Sequence, residues 1–303
     1  MSKNVKQGII SLFIGIGVII LLIPIFTSAY PFNTGLIIAL SIWIITGAIS
    51  TMLGIKKEEN KEKNSSWMVI VGVILVIIGI VFVASYFYGK GSGNIVEERR
   101  SLSSFSKIEI DGSGDVTLDQ NGMENVTIKT DDNILPNIKT EIINDTLVIS
   151  QKNNWYSFWP TNGIIYQVST KGLSGITVKG SAKISSNEFV SDNININIIG
   201  SGDINMTLLV KSITADVSGS GNFNLSGTTD KQVINIDGSG KYQASSLKAF
   251  DTSINISGSG EATVRSIEKL DAKISGSGKI NYYESPSINQ TVSGSGSITK
   301  IGN

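Results

Sequence analysis

Two stretches of this 303-residue chain, Gly238-Ser239-Gly240-Lys241 and Gly276-Ser277-Gly278-Lys279, carry the glycines, hydroxyl and lysine from which a phosphate-cradling loop is made. The spacing defeats that chemistry. Asn235 and Lys273 stand where the motif needs its first glycine, and Tyr242 and Ile280 stand where it needs Ser or Thr. The flanking residues alternate like strands and offer no helix N-terminus to an anion, so no nucleotide is expected. Serines recur at Ser201, Ser220, Ser239, Ser259, Ser277 and Ser295. A nucleophilic serine needs a base, and the chain has no histidine; outward-facing corner serines are the expectation, with no catalytic residue and no enzyme. The absence of cysteine removes thiol chemistry and disulfides. A calcium site would need several converging carboxylates. Asp131-Asp132 is the one adjacent acidic pair between Ser101 and Ile301 and reads as a turn, so neither metal nor cofactor is expected. One cluster does suit recognition: Trp155, Tyr156, Phe158 and Trp159 fall within five residues, in a segment bounded by Asn, Pro and Gly. Such rings could stack on sugars, dip into a membrane surface, or pack against the core and close one end of it. From Gly91 onward there are 18 Lys+Arg against 22 Asp+Glu, no footprint for nucleic acid.

What positions these residues is a repeat. The pattern apolar-x-Gly-Ser-Gly-x-apolar has its first glycine at Gly200, Gly219, Gly238, Gly258, Gly276 and Gly294, spaced by 19, 19, 20, 18 and 18 residues. An imperfect copy, Gly180-Ser181-Ala182, lies 20 residues upstream, and Gly112-Ser113-Gly114 is an outlier. A short fixed period marks a solenoid, one coil per repeat. Within a coil, Ile254, Ile256, Gly258, Gly260, Ala262 and Val264 share one parity and Ser257, Ser259, Glu261 and Thr263 the other. Strand side chains alternate with period two, so the first set is expected inside and the second in water. Both glycines of each copy are then inward, at a tight corner or a close approach of neighbouring backbones. The prediction is a parallel β-helix or solenoid with coils of about 19 residues. Crossover chirality favours a right-handed coil, although narrow left-handed helices have coils of similar length. Stacking would set Lys241, Glu261 and Lys279 beside one another with alternating sign.

Ahead of the solenoid, residues 1–89 read as a membrane module. Runs at about 8–29, 34–55 and 67–88 are apolar, uncharged and long enough for three transmembrane α-helices, with Trp67, Tyr86 and Tyr88 at the ends of the third. The first run is long for a signal peptide and leads straight into a second span. Lys3, Lys6, Lys56, Lys57, Lys61 and Lys63 fall on one side of a three-span arrangement, and Lys90, Arg99 and Arg100 on the other. That bias puts the N-terminus in the cytoplasm and the C-terminal domain outside it, in a multi-pass protein of the cytoplasmic membrane. Gly89-Lys90-Gly91-Ser92-Gly93-Asn94 has the composition of a flexible linker, and residues 90–100 read as the linker and 101–303 as the solenoid domain.

The ordered set Phe105–Leu118, Asp131–Ile138, Asp145–Ser150 and the Gly-Ser-Gly ladder resembles the head GIN domain family of auto-transporter adhesin heads, over roughly Ser101–Ile301. The resemblance implies a β-helical extracytoplasmic domain. The expected function is a membrane-anchored adhesin or envelope-binding scaffold. Its partners would be the lipid bilayer and a glycan or envelope protein, and Trp155, Tyr156, Phe158 and Trp159 are a candidate ligand surface. The alternative is an accessory that senses envelope stress. A polysaccharide-active enzyme is a third and weaker reading, because no acid–base constellation converges.

Overall fold

The computed structural model describes residues 90–151 and 159–303. The three expected spans lie outside the described residues, among which no helix is long and apolar enough to cross a membrane. What is described is an all-β solenoid with coils of about 19 residues.

The strands are β1 (Ile95–Ser101), β2 (Lys107–Gly112), β3 (Asp115–Gln120), β4 (Asn125–Asp131), β5 (Ile138–Ile143), β6 (Thr146–Gln151), β7 (Ile165–Thr170) and β8 (Gly175–Gly180). The long coils follow: β9 (Lys183–Gly200), β10 (Asp203–Gly219), β11 (Asn222–Gly238), β12 (Lys241–Gly258) and β13 (Glu261–Gly276). The last coil is divided into β14 (Lys279–Tyr283), β15 (Ser287–Gly294) and β16 (Ser297–Gly302). From β8 and β9 on, each coil lies parallel to the next. Within each long strand the buried parity changes away from the glycine corner, so successive segments of one coil all turn their apolar side chains into a common core. In β10, Ile204, Met206 and Leu208 are buried on even positions and Ile213, Ala215 and Val217 on odd ones. Period-two alternation of apolar and polar residues is what makes each half-coil a strand with one dry side. No single coil can cover that side, so the core exists only by stacking.

Register is set at the glycines. Gly112, Gly180, Gly200, Gly219, Gly238, Gly258, Gly276 and Gly294 form one column. The copy at Gly112, an outlier in sequence, is therefore the next rung of the same ladder, since β2 lies on β8 and β3 on the start of β9. The residues between β3 and β8 form an insertion. Its strand β4 runs antiparallel to β1 and β7, and β5 pairs antiparallel with β6 through a two-residue turn at Asn144 and Asp145, with φ +48° and +62°. The 18- to 20-residue variation in coil length is absorbed by register shifts away from the glycine corner, for example between Met206 and Thr207 and between Asn224 and Ser226.

Two expectations need correction. Residues 90–100 are not an open linker: Ile95–Ser101 is a strand paired with β4. Nor are both glycines of each copy inward. Gly240 is buried, but Gly238 is exposed at the corner with φ +115°. A Cβ on Gly238 would stand 2.7 Å from the carbonyl oxygen of Gly219, whereas a Cβ on Gly240 would meet the Val217 side chain at 2.6 Å. Continuing strict alternation through a corner mistakes a left-handed residue for an extended one. The corner keeps its ladder of hydrogen bonds, with the Ser239 N–H donating to Gly219 O (2.9 Å) and the Lys241 N–H to Gly221 O (2.9 Å).

Candidate functional site

Two features could meet a ligand: the segment containing the aromatic cluster, and the polar outer face of the coils. Gln151, the last described residue before the aromatic segment, lies beside the glycine corner. β6 lies parallel to β2, with Ser150 opposite Asp111, and β7 lies parallel to β3, with Ile165 opposite Asp115. Gln151 donates from Nε2 to Ser113 O at 3.1 Å. Trp155, Tyr156 and Phe158 lie outside the described residues. Trp159 is 61% exposed, and its carbonyl accepts from the Gly91 N–H at 2.9 Å.

Beside Trp159 the acidic pair holds the chain's entry into the domain. Asp131 is fully buried. One carboxylate oxygen accepts from the Gly93 N–H (2.7 Å) and the Thr161 hydroxyl (2.8 Å), the other from the Thr161 N–H (2.8 Å). Burial pushes this carboxyl's pKa up, but the Thr161 and Gly93 hydrogen bonds outweigh it and hold the group below its ordinary value. Asp132 accepts from the Ser92 hydroxyl (2.6 Å) and Asn94 Nδ2 (2.8 Å), which hold its carboxyl below its ordinary value too. The pair is a clasp on Ser92–Asn94. Sequence reading placed the turn and missed the clasp, because its other half lies some 38 residues upstream. Among the described residues no group of three or more acidic, His or Cys side chains could hold a metal ion.

The outer face of β10 and β11 carries a row of hydrogen-bonded polar side chains. Asn222 Nδ2 donates to Asp203 (2.8 Å), Asn224 Nδ2 donates to Asn205 Oδ1 (3.2 Å), and the hydroxyls of Thr207 and Ser226 are 2.9 Å apart. Three parallel cross-rung bonds fix six side chains on rungs about 4.8 Å apart. On the other face Asn235 Nδ2 donates to Asp216 at 2.7 Å. The register does place Lys241, Glu261 and Lys279 in one row, after Asp203 and Asn222. The serines of the corner ladder are exposed. At the opposite corner a shallow groove of about 510 Å³ is lined by Val190, Leu209, Lys211 and Asp192, the last two joined by a 2.7 Å ion pair.

Comparison with known proteins gives the class. Residues 104–286 match the family described as "Putative auto-transporter adhesin, head GIN domain", and the chain belongs to that family. Among solved structures, one described as a "putative lipid binding protein" from Parabacteroides distasonis is 26% identical with a TM-score of 0.59, over 70% of this chain and 98% of that one. A "putative adhesin" from Bacteroides fragilis is 24% identical with a TM-score of 0.65, over 70% and 99%. Another "putative adhesin", from Parabacteroides merdae, is 22% identical with a TM-score of 0.54, over 70% and 98%. A search of curated proteins gave no match.

Proposed function

We propose that this chain is a membrane-anchored adhesin or scaffold of the cell envelope. Its solenoid domain would stand outside the cytoplasm and bind glycans or an envelope protein through the polar face of β10 and β11. The observation that carries the reading is the trio of cross-rung hydrogen bonds, Asp203–Asn222, Asn205–Asn224 and Thr207–Ser226. Side chains already held in place lose little entropy when a ligand arrives. Amide and hydroxyl groups on regular rungs suit a repeating polyhydroxylated ligand, to which many weak contacts add by avidity. The aromatic segment supplies rings for stacking on sugars, with Trp159 exposed at its end. The uncharged runs over 8–29, 34–55 and 67–88 and the lysine asymmetry support the anchor and its orientation.

The test is binding of residues 91–303 to arrays of envelope and host glycans and to lipid vesicles. Asn205→Ala with Asn224→Ala, and Trp155→Ala with Trp159→Ala, are run alongside. Glycan binding lost in the first pair places the ligand on the face, and binding lost only in the second places it on the aromatic segment. Binding to lipid alone would favour the groove at Val190 and Leu209, and binding to nothing would favour the envelope-stress accessory.

A further inference from the structure

The first strand of the described domain adds no buried side chain to its core. β1 pairs only with β4 among the described residues, in antiparallel register from Ile95 opposite Asp131 to Ser101 opposite Asn125. That register sets Val96, Glu98 and Arg100 beside Thr130, Ile128 and Val126, all three of them buried in β4. None of β1's own side chains is buried. Glu98 and Arg100 form an ion pair with each other at 2.6 Å, so charge stands where a core strand would continue the apolar side. The core begins at Phe105. Backbone pairing and polar contacts hold what precedes it. At the leading end the Gly91 N–H donates to Trp159 O (2.9 Å) and the Ser92 N–H to Asn133 Oδ1 (3.0 Å), while Asp131 accepts from Gly93 and Asp132 from Ser92 and Asn94. At the trailing end Arg100 Nη1 donates to Ile138 O (2.9 Å) and to the Thr140 hydroxyl (3.2 Å).

We infer that the stretch from Gly91 to Ser104 is a releasable strap, which peels from β4 under tension and docks again when the tension falls, while the solenoid stays folded. Chain order fixes the sequence of events. A pull on the residues ahead of Gly91 reaches the clasp first, then the pairs of β1 with β4, and only then Phe105. A segment with few buried apolar contacts opens locally at less cost than the core does. The receiving half of the clasp does not depend on the strap. Asp131 keeps the Thr161 hydroxyl and N–H, both at 2.8 Å, and β4 keeps β7 from Asn125 to Lys129. Asn137 Nδ2 still donates to Asn133 O at 3.2 Å. The docking edge therefore survives release, and the opening is reversible. Fully extended, the strap covers at most about 50 Å. The use of that length rests on the reading of residues 1–89 as an anchor: a ligand-bound domain would move out from the membrane by this order before force reached its core.

The chain has no cysteine, so two introduced cysteines can carry the handles for single-molecule pulling of the full-length protein in detergent. With Gly89→Cys and Asn222→Cys the force runs from just ahead of the strap to the face of β10 and β11. No ligand is needed, so failure of the strap is distinguishable from failure of the adhesive reading. A first extension of less than about 50 Å, reversible on relaxation, should precede a far longer one at higher force. Ser92→Ala with Asn94→Ala, both at exposed positions, should raise the opening rate of the first step at fixed force at least tenfold and leave the second step unchanged. Hydrogen exchange of the unsubstituted protein should show the bonded amides of β1 exchanging well before those of β9 to β13. Unfolding in a single step, a first step indifferent to the Ser92 and Asn94 substitutions, or β1 amides as protected as those of β9 to β13 would overturn the inference.

Discussion

Replacing Gly238 by alanine tests how the ladder is built. At φ +115° an L-residue is strained, at a cost of about 1–3 kcal/mol. The new Cβ would also stand 2.7 Å from Gly219 O, an atom fixed in the backbone of the previous rung. Relieving that contact lengthens the Ser239 N–H to Gly219 O bond, now 2.9 Å, and the Ser259 N–H to Gly238 O bond on the next rung, also 2.9 Å. Each is worth about 1 kcal/mol. The expected loss is about 3–5 kcal/mol, a large share of the stability of an ordinary domain. At about 2–4 °C per kcal/mol for a domain of this size, Tm should fall by about 6–20 °C. Gly240→Ala should cost less, about 1–3 kcal/mol, because its φ is not in the left-handed region and its Cβ meets the Val217 side chain (2.6 Å) and, less tightly than at Gly238, a backbone carbonyl, Gly221 O (3.0 Å). Ser239→Ala, at an exposed position, should stay within about 0.5 kcal/mol. Urea and thermal unfolding of residues 91–303, followed by the β-sheet dichroism signal, ranks the three. A Gly238→Ala variant that melts within about 2 °C of wild type, or a Gly240→Ala variant that loses more, would refute the corner assigned here.

Other consequences follow from the core and the clasp. The Tyr242 hydroxyl donates to Gln232 Oε1 (3.0 Å) and Gln232 Nε2 donates to the Thr252 hydroxyl (2.9 Å), all inside the core, where burial pushes the Tyr242 pKa up. Tyr242→Phe should therefore cost about 1–3 kcal/mol by leaving a buried amide oxygen unbonded, as urea titration would read. Asp131→Asn sets an amide N–H₂ against either the Thr161 N–H or the Gly93 N–H, and should lose about 2 kcal/mol or more at neutral pH. The sign of its pH dependence follows from the lowered folded pKa. Asp131 contributes stability above its unfolded value of about 3.9, and that contribution fades as pH falls through the lower folded value. Wild type should thus lose Tm more steeply than Asp131→Asn below about pH 4, and parallel slopes would argue against the clasp. Asn205→Ala with Asn224→Ala should leave Tm almost unchanged, because one exposed side-chain hydrogen bond contributes little.

The coil was legible because its signal is local. Ile254, Ile256 and Val264 alternate with polar neighbours over a distance that a strand itself spans, and the 18- to 20-residue period of Gly200–Gly294 names the stack. The direction of Gly238 was not legible, since parity carries no information about a residue that leaves the extended conformation. Nor could the sequence show that Gly112 belongs to the column, because the insertion hides its period and only the pairing of β2 with β8 restores it. The segment Gly91–Asn94 has a linker's composition, yet its polar groups answer to Asp131 and Asp132, so glycine and serine here reflect close approach rather than freedom. The aromatic cluster was plain in sequence, and of its four rings only Trp159 lies among the described residues. The β10–β11 patch was the feature missed altogether: Asn205 and Asn224 are ordinary strand asparagines until the 19-residue offset sets them side by side.

Binding of residues 91–303 to an envelope and host glycan array, with Asn205→Ala/Asn224→Ala in parallel, tests the central claim most directly. The account predicts binding to a repeating glycan that strengthens with ligand length, falls at least tenfold in the face variant and leaves Tm within about 2 °C. Glycan binding of equal strength in wild type and in both the face and tryptophan variants, or binding to no glycan at all, would contradict it.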